Sequence, residues 1–114
     1  MAFTRSPVQL VQTLMVMSMA EKDIVNKIIK YLKTLDHCFC WKEHGGMYGT
    51  AGIPDVICCY HGRFIGLEVK TEKGKLTKLQ EITIREIVKA GGTAVKVTSV
   101  EEVKREIAKI GGGG

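Results

Sequence analysis

The sequence predicts one α/β domain in the order α-β-β-β-α-β-α, and three observations carry that prediction. A length of 114 residues lies near the modal size of a single domain, so one core is expected. At 45% hydrophobic and 25% charged residues, the chain has the composition of a packed globular protein and not of a disordered one. Apolar periodicity then switches between helical and strand spacing, with no internal repeat.

Ser18-Met19-Ala20-Glu21 has the form of a capping box, and Ile24, Val25, Ile28, Leu32 and Leu35 follow at helical spacing, which predicts a helix from about 19 to 35. His37 to Lys42 reads as a strand, followed by a loop carrying Gly45, Gly46, Gly49 and Gly52. Val56 to Tyr60 is a continuous apolar run and Arg63 to Lys70 alternates, so the two form a hairpin turning at His61-Gly62. A second helix is expected from about Thr77 to Ala90, stopped by Gly91-Gly92. Thr93 to Val97 makes the fourth strand, and Ser99 to Glu102 caps a last helix.

The two ends differ from this core. Residues 1–20 contain no acid, one base (Arg5) and twelve apolar residues. That stretch is too short and too interrupted by Gln9, Gln12 and Thr13 to cross a bilayer. The same glutamines and the single basic residue argue against a secretory signal, although Ser18-Met19-Ala20 offers small residues at a cleavage position. The expectation is a short extra helix with Ser6 as cap and Pro7 in its first position, or an upstream extension. Residues 1–17 are thus an extension, 18–110 the domain and 111–114 a flexible glycine tail.

Lys and Arg outnumber Asp and Glu by 17 to 12, for a net charge of +5, which favours an anionic partner. Nucleic acid leads, ahead of an acidic protein or a membrane surface. Cys38, Cys40, Cys58 and Cys59 lack the spacing of a zinc site and read as small apolar side chains on buried strands of a reduced, cytoplasmic protein.

In the third strand, Ile65, Leu67 and Val69 take one face while Gly66, Glu68 and Lys70 take the other. With a two-residue turn at His61-Gly62, Asp55 falls opposite Glu68. Two carboxylates in that position repel each other unless a cation lies between them, and all-oxygen donors favour Mg²⁺ or Mn²⁺ over zinc. Lys70 is then placed to hold or help deprotonate a water beside that metal. The alternatives are plainer. Glu68 and Lys70 could form an ion pair on a solvated strand face, and Glu21 and Gln80 could serve only as capping-box partners of Ser18 and Thr77. His37, His44 and His61 read as surface or turn residues, and Trp41 and Tyr48 as core or rim.

Pro54-Asp55 followed by Glu68-Val69-Lys70 resembles the signature of the PD-(D/E)XK nucleases, whose restriction-endonuclease-like core shares the α-β-β-β-α-β order. Within them, Gly52-Ile53-Pro54-Asp55, Glu68-Val69-Lys70, Gly74-Lys75-Leu76, Gln80, Gly91-Gly92 and Glu21 are similar to the VRR-NUC (virus-type replication-repair nuclease) domain of standalone phage or bacterial type. The resemblance spans residues 18–97. It implies a mixed sheet flanked by helices and metal-dependent phosphodiester hydrolysis, with Mg²⁺ or Mn²⁺ held by Asp55, Glu68 and the Val69 carbonyl. Glu21 would reach the metal directly or through water, Lys70 would orient the nucleophilic water, and Gln80 would position Lys70 or the nucleophile. The implied partner is DNA, branched DNA first, cut by a homodimer to leave 5′-phosphates. Lys42, Lys73, Lys75 and Lys78 are expected to neutralise its phosphates. A non-catalytic nucleic-acid-binding module and an RNA-processing nuclease are the competing readings. The apolar segment from Val8 to Met17 is a candidate for part of the dimer interface.

Overall fold

The computed structural model describes residues 7–43 and 52–111, with residues 7–18 described as backbone only. Its elements are α1 (Pro7–Leu32), β1 (Cys38–Lys42), β2 (Val56–Tyr60), β3 (Arg63–Val69), α2 (Lys78–Lys89), β4 (Thr93–Val97) and α3 (Val100–Gly111). The predicted α/β order holds. So do the bounds of β2 and β4, while β1 and β3 are shorter by one residue at one end and α2 by one at each end.

The helix boundaries at the termini require correction. No cap interrupts the chain at Ser18: α1 runs unbroken from Pro7, so the extension and the first core helix are one element. Proline does begin the helix, where its missing N–H and fixed φ cost nothing. At the other end the helix stops at Leu32, and Leu35 lies in the turn that follows, its N–H donating to the Leu32 carbonyl. Gly111 is not tail but the last residue of α3.

The sheet order is β1-β2-β3-β4, antiparallel across the first three strands and parallel between β3 and β4. His61 and Gly62 take left-handed φ values of 50° and 78°, the two-residue turn whose twist suits a hairpin. It fixes the register so that paired residue numbers sum to 123, from Tyr60↔Arg63 to Val56↔Leu67.

The even-numbered residues of β2 and odd-numbered residues of β3 face α1 and α3. Val56, Cys58, Ile65, Leu67, Val69 and Val97 pack there against Val25, Ile28, Leu32, Val103 and Ile107 as one buried cluster. Helix α2 lies on the opposite face, over β3 and β4. The cysteines divide accordingly: Cys58 is buried, Cys38 and Cys40 are half-buried, and Cys59, on the α2 side, is exposed, contrary to its expected burial. All four are free thiols, and burial pushes Cys58 up to about 12. Among the described residues, no helix is long and apolar enough to cross a membrane.

Candidate active site

The hairpin register carries one step past the last ladder pair to Asp55 and Glu68, at the end of the sheet away from the turn. Asp55 is anchored there: its Oδ2 accepts the Val69 N–H at 2.8 Å. The N–H and C=O of a strand residue leave the same side, so the Val69 carbonyl is also directed to the Asp55 side of β3.

Two glycines let the Asp55 segment reach this position. A Cβ on Gly66 would stand 2.9 Å from Pro54 Cγ, so the proline packs directly over β3 only because residue 66 has no side chain. Gly52 has φ +84°, and a Cβ there would meet Thr83 Oγ1 at 2.6 Å and Leu79 Cγ at 2.9 Å. The lead-in to Asp55 is therefore pressed against α2, the helix that carries Gln80.

Glu68 is 3% exposed, the one buried charged residue among those described. This overturns the solvated-face alternative. Strand alternation placed Glu68 on the face opposite the core, but α2 covers that face too, and β3 is buried on both sides from Ile65 to Val69. Its carboxylate accepts a hydrogen bond from Gln80 Nε2 at 2.9 Å and lies 4.0 Å from Lys70 Nζ, whose side chain is 14% exposed. Burial first, then the charge of Asp55 and a hydrogen bond with it, push the Glu68 carboxyl up to about 8, with Lys70 opposing and Glu21 adding to the shift.

Gln80 fills the capping role, and its side chain also bonds a second residue. Its backbone N–H donates to Thr77 Oγ1 at 3.2 Å and its Oε1 accepts the Thr77 N–H at 2.9 Å, completing a capping box. The remaining amide nitrogen is then aimed at Glu68, so the cap fixes the rotamer of a site residue. Its observed partner is Glu68 and not Lys70. For Glu21 the capping alternative disappears, because the residue sits inside α1 and not at its start. Burial, opposed by Lys70 and reinforced by Asp55, holds the Glu21 carboxyl above its ordinary range, which places it within electrostatic reach of both.

The basic residues are less uniform than expected. Lys73, Lys75 and Lys78 are exposed on the segment that leads from Lys70 into α2. Lys42 belongs to the other side of the sheet, where its Nζ donates to Asn26 of α1 at 2.7 Å. His37 and His61 are exposed turn residues, and Trp41 lies at the rim of the sheet. His44, Tyr48 and the glycines at 45, 46 and 49 lie outside the described residues.

Two neighbours were missed. Lys96 is the β4 partner of Glu68 and donates to the Gly74 carbonyl at 3.2 Å, tying down the turn after Lys70. A parallel register set across a helix leaves no local signal for this. Glu43 donates its N–H to the Asp55 carbonyl at 2.8 Å and so extends the same row onto β1; exact antiparallel pairing of β1 with β2 would have been needed to find it.

The donor set suits a hard divalent cation. The buried Glu68 and the half-buried Asp55 meet in an electrostatically strained pair with a backbone carbonyl directed to the same side, and an intervening 2+ charge would relieve the repulsion. Among the described residues no three His, Cys, Asp or Glu side chains are grouped tightly enough to hold a metal by themselves. The donor that the described residues offer beside the two carboxylates is the Val69 carbonyl.

Together these features define a three-layer α/β domain with a cross-strand acid pair and a lysine at one end of its sheet. No protein-family model matches the chain, and no curated protein sequence matches it. Solved structures do. One described as a VRR_NUC domain superposes with a TM-score of 0.65 at 22% identity, over 77% of this chain and 94% of that one. Another, described as a VRR_NUC domain protein, gives 0.60 at 21%, over 76% and 84%. The chain has the fold of these VRR_NUC domain structures.

Proposed function

We propose that this protein is a divalent-metal-dependent DNA endonuclease acting on branched or flapped DNA. The observation that carries the proposal is Glu68. A carboxylate this buried, pressed against a second acid and held by Gln80, costs stability in a fold that could have closed over an apolar residue. Such strain is characteristic of functional sites.

In this reading Asp55, Glu68 and the Val69 carbonyl hold Mg²⁺ or Mn²⁺, with Glu21 contributing through water. The bound ion supplies Lewis-acid stabilisation of charge on the phosphate. Lys70, held near Glu68, orients the attacking water and offers its ammonium to the charge that builds on the phosphoryl oxygens. Gln80 keeps the Glu68 carboxylate in one rotamer. Lys73, Lys75 and Lys78, and more distantly Lys42, neutralise flanking phosphates. The expected products carry 5′-phosphates. Two chains about a twofold axis would offer paired sites to the two strands of a junction, inside the cell, in the cytoplasm.

The test incubates the purified chain and Mg²⁺ or Mn²⁺ with labelled single strands, duplexes, flaps, four-way junctions and RNA, beside light scattering. Cleavage of flaps or junctions by a dimer is expected. Binding without cleavage would make the chain a non-catalytic module. Preferential cutting of RNA would move it to RNA processing, and a cleaving monomer would remove the dimer.

A further inference from the structure

Among the described residues, the face of the sheet that carries Glu68 is not covered out to its edge. Helix α2 lies over β3 and β4, and on β1 the same face presents Phe39 and Trp41, 70% and 42% exposed. Both are odd-numbered residues of β1, as is Glu43 just beyond it, so all three point to one side. Glu43 is bonded through its backbone to Asp55, which puts Trp41 one same-face step from the carboxylate row and Phe39 one step farther. Phe39 pairs with Cys59, which pairs with Phe64, and both of these are exposed as well. The Phe39 and Trp41 rings stand 5.7 Å apart, and Trp41 Nε1 donates to Glu43 Oε2 at 2.9 Å, which fixes the edge of the indole.

We propose that Phe39 and Trp41 form a stacking platform for unpaired bases of the nucleic-acid strand whose phosphate lies at the Asp55–Glu68 site. The proposal rests on the reading of that site given above for where the strand comes from. The two ring centroids are 5.7 Å apart and the rings are tilted by 52° to each other, a wider spacing than the roughly 3.4 Å rise of a stacked strand. The platform therefore suits bases already drawn apart and not an intact duplex, and aromatic faces accept any base. The position selects the occupant. Trp41 is hydrogen-bonded to Glu43, whose backbone is bonded to Asp55, so a strand with its phosphate at the carboxylates has its neighbouring bases within reach of the platform.

Trp41 is the chain's single tryptophan, so the platform carries its own probe. The full chain in EDTA is titrated with fluorescently end-labelled oligo-dT and, separately, with blunt duplex, following Trp41 emission and label anisotropy together. Oligo-dT should quench Trp41 in step with binding. Phe39→Ala should weaken oligo-dT binding about fivefold or more, the loss of one stacked base, with duplex affinity within about twofold and melting unchanged. Oligo-dT that binds without altering Trp41 emission, or a Phe39→Ala protein that binds it as tightly as wild type, would overturn the proposal. So would a dimer in light scattering that Phe39→Ala dissociates, since the strip would then belong to a second copy. Quenching by a chain that never cleaves with Mg²⁺ would keep the platform and remove the hydrolytic reading; cleavage without quenching does the reverse.

Discussion

The two faces of the sheet have opposite chemistry on a shared backbone. Toward α1 and α3, β2 and β3 present Val56, Cys58, Ile65, Leu67 and Val69, all fully buried, and the helices answer with aliphatic residues. Toward α2 the same strands present the buried Ile57 beside Gly66, the buried Glu68, and the exposed Cys59 and Phe64, and α2 itself contains no buried residue. One face holds the domain together. The other packs Pro54 over Gly66 and sets the Glu68 carboxylate beside Gln80 and Lys70, so the aliphatic core and the charged cluster are divided by the alternation of a single strand.

Substitutions at Leu67 in β3 and at Lys70 just past its end should break that contrast most visibly. Leu67→Ala removes a fully buried side chain from the first face and should cost about 2–5 kcal/mol in urea unfolding, with cleavage by the remaining folded protein retained. Lys70→Ala, on the second face, should lower cleavage about 10²-fold or more while leaving unfolding and DNA affinity near wild type. If Leu67→Ala is benign and Lys70→Ala unfolds the protein, the division between the faces is wrong.

A smaller effect sharpens the comparison through pH. Glu68 has a folded-state value of about 8 against an ordinary 4.5, so the folded state favours the protonated form. Its contribution is fully present below about pH 4.5, is lost as pH rises toward 8 and is level above that, with a slope of at most about 1.4 kcal/mol per pH unit. Urea midpoints measured in EDTA at pH 5 and pH 8.5 should show this decline, and Glu68→Gln should flatten it. An equal slope in that variant would assign the pH dependence elsewhere. Smallest of all, Gln80→Ala removes a capping contact and the Glu68 hydrogen bond together, and should lower stability by about 1 kcal/mol and reduce cleavage less than Lys70→Ala does.

Most of the first face was legible in the sequence, because aliphatic periodicity reports burial directly and the His61-Gly62 turn sets the register locally. The site residues were legible as a pattern, Asp55 opposite Glu68 with Lys70 two positions on. Their environment was not. Alternation tells which side a residue takes but not whether a distant helix covers that side, so Glu68 read as solvent-facing. Ser18 and Glu21 matched a capping box, yet helical neighbours on both sides override a local cap, and α1 continues through it. Lys96 depends on a parallel register that no turn defines, and Trp41 read as core or rim because a lone aromatic in a strand gives no sign of which face stays open.

As a cation site serving hydrolysis, the Asp55–Glu68 pair should lose metal and activity together. The direct measurement is calorimetric titration of Mn²⁺ into wild type and Glu68→Gln, with cleavage of a labelled flap followed in the same solutions. Wild type should bind Mn²⁺ and cleave only with metal present, while Glu68→Gln stays folded and loses both. Undiminished cleavage by wild type in excess EDTA, or a Glu68→Gln protein that binds Mn²⁺ and cleaves like wild type, would contradict it.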